Sequence, residues 1–433
     1  MPDDPLVTLL PLMLQPEPSR VVIRPFIPAN DPTAAEPADR YRSSRVMHRI
    51  LSLGAEDCHA ELTAILASLT DRHRNVEQVL LRRYHEVVGP ETEPRIAASA
   101  EQALLIGAYF SEEYSFEAAA LFNPSIVAHP DQAGVPEGSV RFMMSLRAVG
   151  EGHISSITFR TGLFTGTEIL LDPPSRTAIP PQIDAIPGGS PDDPGVRLFF
   201  GGQEDLSAIV LFPVTLHQRH GIEDLRMVRF IGDDGSPTYL GTYTAFSGET
   251  IRQELLRTTD FASFELNAVR GEIADKKGMA LFPRRIGGHY AALGRQDHES
   301  LWLLQSNDLY NWSDGRKIIS PRWPWEFVQI GNCGSPIELD EGWLVMTHGV
   351  GAVRNYCIGA CLLDKNDPAK LIGRTRQPLV STSPKDRDGY VPNVVYSCGA
   401  LVHGGTLLLP YGVADNFTTF VTVPIDALLR SMV

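Results

Sequence analysis

A chain of 433 residues in which 43% of side chains are hydrophobic holds enough apolar material for a sizeable core, which excludes wholesale disorder. Lys and Arg number 38 against 52 Asp and Glu, a formal net charge of −14, and this excludes a general nucleic-acid binder while allowing a local basic pocket for one small anion. No window approaches the roughly 18 consecutive apolar residues of a membrane span, so neither nucleic acid nor membrane is expected as a partner. The opening Met1-Pro2-Asp3-Asp4-Pro5 is acidic and proline-broken, unlike a secretory signal. Five irregularly spaced cysteines make no disulfide framework, and Cys357 and Cys361 read as two buried small residues. These features predict a cytoplasmic location.

Residues 1–43 are proline-rich and read as an extended arm with a short strand at Val21 to Arg24. Residues 44–119 read as a helical extension. Between Gly54 and Val88, Leu62, Ile65, Leu66, Leu69, Val76, Val79 and Leu80 recur at helical spacing, with Asp57 as a candidate cap. Pro90 and Pro94 interrupt the pattern, and further helical stretches are predicted near 96–108 and 115–121.

From residue 120 to 433 the texture changes to short runs of Val, Ile, Phe, Tyr and Thr separated by Gly, Asp, Asn and Pro. Ten such runs, from Val140–Leu146 to Thr406–Tyr411, predict a mainly β domain of the sandwich, barrel or propeller type. A weak repeat favours the propeller. Asp260-Phe261-Ala262-Ser263-Phe264 and Asp308-Leu309-Tyr310-Asn311-Trp312 share an Asp and an aromatic four residues later, about one blade length apart. The Asp is expected to close a turn and the aromatic to pack between blades.

The chemistry-bearing residues sit in polar, glycine-containing clusters at strand ends. They include Asn123, the run Arg147 to Ser156, Glu223-Asp224-Leu225-Arg226, His348, Tyr390 to Val395 and Tyr411 to Asp415. Each alone also fits a solvated turn, a surface ion pair or a satisfied core histidine. Together they fit a funnel fed by several loops. Carboxylates with aromatics suit a sugar, whose hydroxyls pair with Asp and Asn and whose apolar face lies on a ring. The glycine patterns of phosphate loops, dinucleotide sites and nucleophile elbows are missing from the sequence. His217 and His220 lack a third ligand at metal spacing, so neither metal nor cofactor is expected.

These motifs carry a family likeness. Gly342-Trp343-Leu344, His348-Gly349-Val350, Leu362-Leu363-Asp364 with Asp367-Pro368, Arg374-Thr375, Val391-Pro392-Asn393-Val394-Val395, Tyr411-Gly412 and Ala414-Asp415 resemble glycoside hydrolase family 130, the β-mannoside phosphorylases and β-mannosidases. Glu223-Asp224-Leu225-Arg226 is similar to the family's Glu-Asp-Pro-Arg, with Leu225 in place of Pro, and Lys277 with Leu281-Phe282-Pro283 also matches. The resemblance implies a five-bladed β-propeller with an N-terminal α-helical extension, as in the longer members. It implies inverting cleavage of terminal β-mannosides, with inorganic phosphate as co-substrate and α-mannose 1-phosphate as product. By similarity Asp224 and Asp415 bind the mannosyl unit, with Asn123 and Arg147 close by. Arg226, Lys277 and His348 face the phosphate, and Arg45 and Arg49 are further candidates for it.

One departure stands out. The family's general acid, an Asp after the strand that ends in Arg, falls in register on Gly152. Glu151 is therefore the candidate acid, because its longer side chain reaches towards the same point from a glycine-flanked loop. Two alternatives stay open: an inverting hydrolase in which Glu223 is the base, and a sugar-binding propeller without catalysis. The helical extension is expected to build a homo-oligomer.

Overall fold

The computed structural model describes residues 6–29, 41–89, 97–186, 195–202, 205–313, 315–383 and 389–433. Pro90 and Pro94 lie outside these residues. The chain divides into two compact units, one of residues 18–116 with 175–180, the other of residues 1–17, 117–174 and 181–433.

The first unit holds helices α1 (Arg42–Leu51), α2 (Ala55–Leu69), α3 (Val76–Val88) and α4 (Ala100–Tyr109), with strands Val21–Pro25 and Ser111–Ser115 paired antiparallel. Ile50, Cys58, Leu62, Tyr84, Val88, Leu105, Ile106 and Phe110 form its core. The stretch predicted as one helix from Gly54 to Val88 is two. The break falls before Asn75, whose φ of 54° ends the helical path, and Arg72 and His73 in the connection both reach Glu113, at 3.1 and 2.6 Å. Gly54, not Asp57, occupies the N-cap of α2; Asp57 lies in the first turn, where its charge complements the helix dipole. Residues 115–121, expected to be helical, end one strand and begin another.

The second unit is mainly β, and all ten predicted runs coincide with strands or parts of strands to within one residue at their ends. Among the described residues it has four sheets, of eleven, four, five and five strands. The eleven-stranded sheet divides where a single parallel bridge, Gly221 to Ser155, joins two antiparallel parts. Five antiparallel sets result. Their main hairpins are Ala120–Ala128 with Val140–Val149, Gly221–Ile231 with Pro237–Phe246, Ala280–Leu281 with Tyr290–Gly294, Gln329–Asn332 with Trp343–Val350, and Val395–Tyr396 with Thr406–Val413. A short helix, α5 (Ile425–Arg430), follows the last strand.

Consecutive sets share cores. Val228, Leu240 and Leu255 pack with Leu281, Ala292 and Leu304; Phe282, Leu293 and Leu301 pack with Trp343, Val345 and Cys361; Leu344, Met346 and Ile358 pack with Leu407, Leu409 and Val421. The fifth set also meets the first: Leu121 N donates to Asn416 O at 2.8 Å, and Cys398 N to Pro124 O at 2.8 Å. The Thr8–Leu14 strand, which the sequence hid in a proline-rich arm, adds to the edge of Phe417–Pro424.

The Asp-plus-aromatic repeat works as its chemistry suggests. Asp260 Oδ1 accepts from the amides of Ala262 and Ser263, and Asp308 Oδ1 from that of Tyr310. Phe264 stacks on Phe159 of the first set, and Trp312 joins the core between the second and third. A buried staple holds the first set: Arg160 Nη2 donates to both Glu117 oxygens, at 2.8 and 3.0 Å, with neither side chain meaningfully exposed. No described helix is long and apolar enough to cross a membrane.

Candidate active site

Two β-bulges aim the first pair of site residues. The pairing of Ala120–Ala128 shifts register between Phe122 and Ser125, and that of Gly221–Ile231 between Glu223 and Arg226. At these breaks Asn123 and Asp224 adopt φ of 48° and 56°, a left-handed conformation that Asn and Asp tolerate best among residues with a side chain. Asn123 Nδ2 then donates to Asp224 Oδ1 at 2.6 Å. Asp415 has the same backbone conformation, φ 51°, at the end of Thr406–Val413.

Cations surround these carboxylates. Arg147 Nη2 donates to Glu223 Oε1 at 2.9 Å, and its Nη1 lies 3.6 Å from Asp224. Lys277 Nζ donates to the other Glu223 oxygen at 3.1 Å. Arg226, 2% exposed, donates to Asp224 O at 2.9 Å and to Tyr396 Oη at 2.7 Å. Burial alone would push the Asp224 carboxyl up, but Arg226, Arg147 and Lys277, with the Asn123 amide, hold it below the ordinary range. Asp415 goes the other way. Burial raises it to about 6; Arg147 opposes the shift and the Asp224 charge adds to it.

His348 is neutral. Burial, then the Arg295 and Arg226 charges, pull it down to about 3. Arg295 Nη1 and Gln329 Nε2 lie 3.3 and 3.0 Å from its Nε2, and its Nδ1 lies 3.2 Å from Asn332 O. Arg can only donate, so Nε2 is the acceptor and Nδ1–H donates to the carbonyl. His348 thus aims Arg295 and offers no proton of its own to an anion. Its ring also packs edge-on against Tyr396, at 5.0 Å.

The cluster leaves donors unspent. The Nε atoms of Arg147, Arg226 and Arg295 are buried without a hydrogen-bond partner, as are Asn123 Oδ1 and Asn332 Oδ1. Buried guanidinium donors without acceptors are costly unless an anion or a polar ligand meets them.

The structure therefore brings together Asn123, Arg147, Glu223, Asp224, Arg226 and Lys277 by direct contact, places Asp415 within their field, and joins His348 through Tyr396 and Arg295. Glu151 lies on an exposed turn, Glu151–His153, four residues beyond Arg147. Arg45 and Arg49 sit one turn apart on α1 of the helical unit; the cluster is built wholly from the β unit. Sequence reasoning missed Arg295, Tyr396, Gln329 and Asn332. Arg295 had a usable signal, since it directly follows a strand and is followed by a turn. Tyr396 had none, being one aromatic in an apolar run. Among the described residues no group of three or more His, Cys, Asp or Glu is placed to hold a metal.

A family model for glycoside hydrolase 130, described as beta-1,4-mannooligosaccharide phosphorylase, matches residues 204–433. The chain is 34% identical over 232 residues to a beta-1,2-mannobiose phosphorylase of Listeria innocua, a match covering 51% of this chain and 63% of that protein. It is 34% identical over 158 residues to a beta-1,4-mannooligosaccharide phosphorylase of Ruminococcus albus, covering 34% of this chain and 47% of the relative. The matched region thus spans less than two thirds of either relative. The solved structure of the Listeria innocua beta-1,2-mannobiose phosphorylase with beta-1,2-mannobiose has a similar fold, with a TM-score of 0.54 and 22% identity over 72% of this chain and 92% of that one.

Proposed function

The chain belongs to glycoside hydrolase family 130, and we propose that it cleaves terminal β-mannosides by phosphorolysis with inversion, giving α-mannose 1-phosphate. The observation that carries this reading is the gathering of Arg147, Arg226 and Lys277 around the carboxylates Glu223 and Asp224, with Arg295 close enough for its charge to interact with that of Asp224. Such a niche suits an anionic nucleophile.

In this mechanism Asp224, braced by Asn123, and Asp415 hold the mannosyl hydroxyls. Arg226, Lys277 and Arg295 hold phosphate, and neutral His348 orients Arg295. A phosphate oxygen attacks the anomeric carbon as the bond to the glycosidic oxygen breaks, and that oxygen takes a proton from Glu151. Phosphate is already an anion, so no base is required. Both Glu223 oxygens accept from cations, Arg147 and Lys277. That makes Glu223 a scaffold for the cationic wall and a poor base for water, which disfavours the hydrolytic alternative.

The five strand sets, the second to fifth sharing cores in sequence, the first stacked on the second through Phe159 and Phe264, and the fifth returning to the first, support a five-bladed propeller whose loops feed the site. The reading places the enzyme in the cytoplasm; the five buried, free cysteines agree with a reducing compartment. Incubating the protein with β-1,2-, β-1,3- and β-1,4-mannobiose, with and without phosphate, tests the reading. It expects α-mannose 1-phosphate formed only with phosphate; free mannose released at a phosphate-independent rate would sink it.

A further inference from the structure

We propose that Tyr390, His153 and Arg354 form the subsite for the departing hexopyranose, and so decide which β-mannoside is accepted. The inference rests on the reading of Asp224 and Asp415 as the mannosyl site.

Tyr390 is pinned beside Asp415. Gly389 packs so closely on the preceding residue that a Cβ there would lie 2.4 Å from Ala414 O, and Val391 N donates to the same carbonyl at 3.1 Å. Held by both neighbours, the Tyr390 side chain is nonetheless 76% exposed. Its ring lies 5.4 Å from that of His153, tilted by 35°. His153 comes from the turn that follows the Arg147 strand, so two remote loops meet here. The turn after the His348 strand is built the same way. Gly150 and Gly351 open the two turns with nearly identical backbone angles, and His153 and Arg354 both have positive φ, 57° and 53°. Arg354 lies 6.0 Å from the Tyr356 ring, and its charge acts on Asp415.

An exposed aromatic pair therefore stands beside the Asp415 segment, and Arg354, on an exposed turn, is near enough for its charge to act on that carboxylate. Asn123, 7% exposed, and Asp224, whose side chain is 19% exposed and within 4 Å of Arg147 and Arg226, are by contrast mostly covered. A pyranose lays its C–H face on an aromatic ring, and an Arg fork donates to neighbouring hydroxyls. The mannosyl unit belongs to the inner residues, so the ring that rests on Tyr390 is the leaving sugar.

The test compares wild type with Tyr390→Ala, Tyr390→Phe and Arg354→Ala. In the synthetic direction, with α-mannose 1-phosphate as donor, Tyr390→Ala should raise the KM for the acceptor sugar about tenfold, the loss of one ring contact. The KM for the sugar phosphate should stay unchanged, and Tyr390→Phe should restore the acceptor KM. Arg354→Ala should change the ranking of acceptors that differ in one hydroxyl. An unaltered acceptor KM in Tyr390→Ala, or equal shifts in both KM values, overturns the subsite. Calorimetry with mannose and mannobiose gives a reading that needs no turnover: wild type should bind the disaccharide more tightly, and Tyr390→Ala should lose that advantage. Equal affinities in wild type overturn the subsite as well. A wild-type protein inert towards every β-mannoside yet showing the calorimetric difference would instead defeat the phosphorylase reading and leave the subsite standing.

Discussion

Asn123 and Asp224 meet at 2.6 Å although they lie in different strand sets, each at a β-bulge and each with its backbone in the left-handed region. Two strained positions are thus joined by one charge-assisted hydrogen bond, and the bond fixes the Asp224 carboxylate beside Arg147 and Arg226.

Removing that donor separates side chain from backbone. Asn123→Ala and Asn123→Gly should both lower kcat/KM by about 10- to 100-fold, the loss of a hydrogen bond to a charged group. The two should differ in stability, since Ala at φ 48° carries an additional cost of about 1 kcal/mol that Gly avoids. Steady-state kinetics and thermal melts check this; wild-type kinetics in the Gly variant would show that the contact to Asp224 is dispensable.

Arg226 tests the nucleophile. Arg226→Ala should abolish phosphate-dependent cleavage, and Arg226→Lys should not restore it, because one ammonium cannot replace a planar fork held to both Tyr396 Oη and Asp224 O. Initial rates across a phosphate series read the outcome. Unchanged, phosphate-dependent cleavage without Arg226 would remove it from the phosphate site, and cleavage indifferent to phosphate would make water the nucleophile.

Asp415 makes stability depend on pH in an unusual direction. Its folded value of about 6 lies above that of the unfolded chain, about 3.9. The folded state binds the extra proton between these values, so the contribution of Asp415 to stability is complete below about pH 4 and is lost as pH rises through about 6. Asp415→Asn should therefore be more stable than wild type at pH 8, by on the order of 2 kcal/mol, and melt higher there, with no gain at pH 4. Activity should still fall sharply in the variant, as expected of a group that stabilises a ligand at the expense of the fold. A melting difference of the same size at both pH values would contradict the assignment.

Glu151 is testable through the leaving group. Glu151→Gln should slow cleavage of mannobiose by about 100-fold or more, while an aryl β-mannoside with an acidic phenol, which needs no protonation, should be largely spared. Equal retention of activity on both substrates would move the proton donor to another carboxyl group.

Much of the β unit was legible in the sequence because its signals are local. Strand runs, Asp-closed turns such as those at Asp260 and Asp308, and the motif residues Glu223, Asp224, Arg226, His348 and Asp415 depend on neighbours within a few positions. The strand Thr8–Leu14 and the break before Asn75 escaped, since the first is defined by a partner about 400 residues away and the second by contacts to Glu113.

What the sequence by itself determined is the mainly β character of the chain after residue 120, the polar residue types at the strand ends and the family to which the motifs belong. Tertiary structure alone decided how those ends meet. It paired Asn123 with Asp224, spent both Glu223 oxygens on cations, turned His348 into a neutral acceptor for Arg295 and brought His153 against Tyr390. The reason is physical: protonation state and hydrogen-bond role depend on burial and on charges a few ångströms away, and those neighbours come from segments that the linear chain keeps far apart.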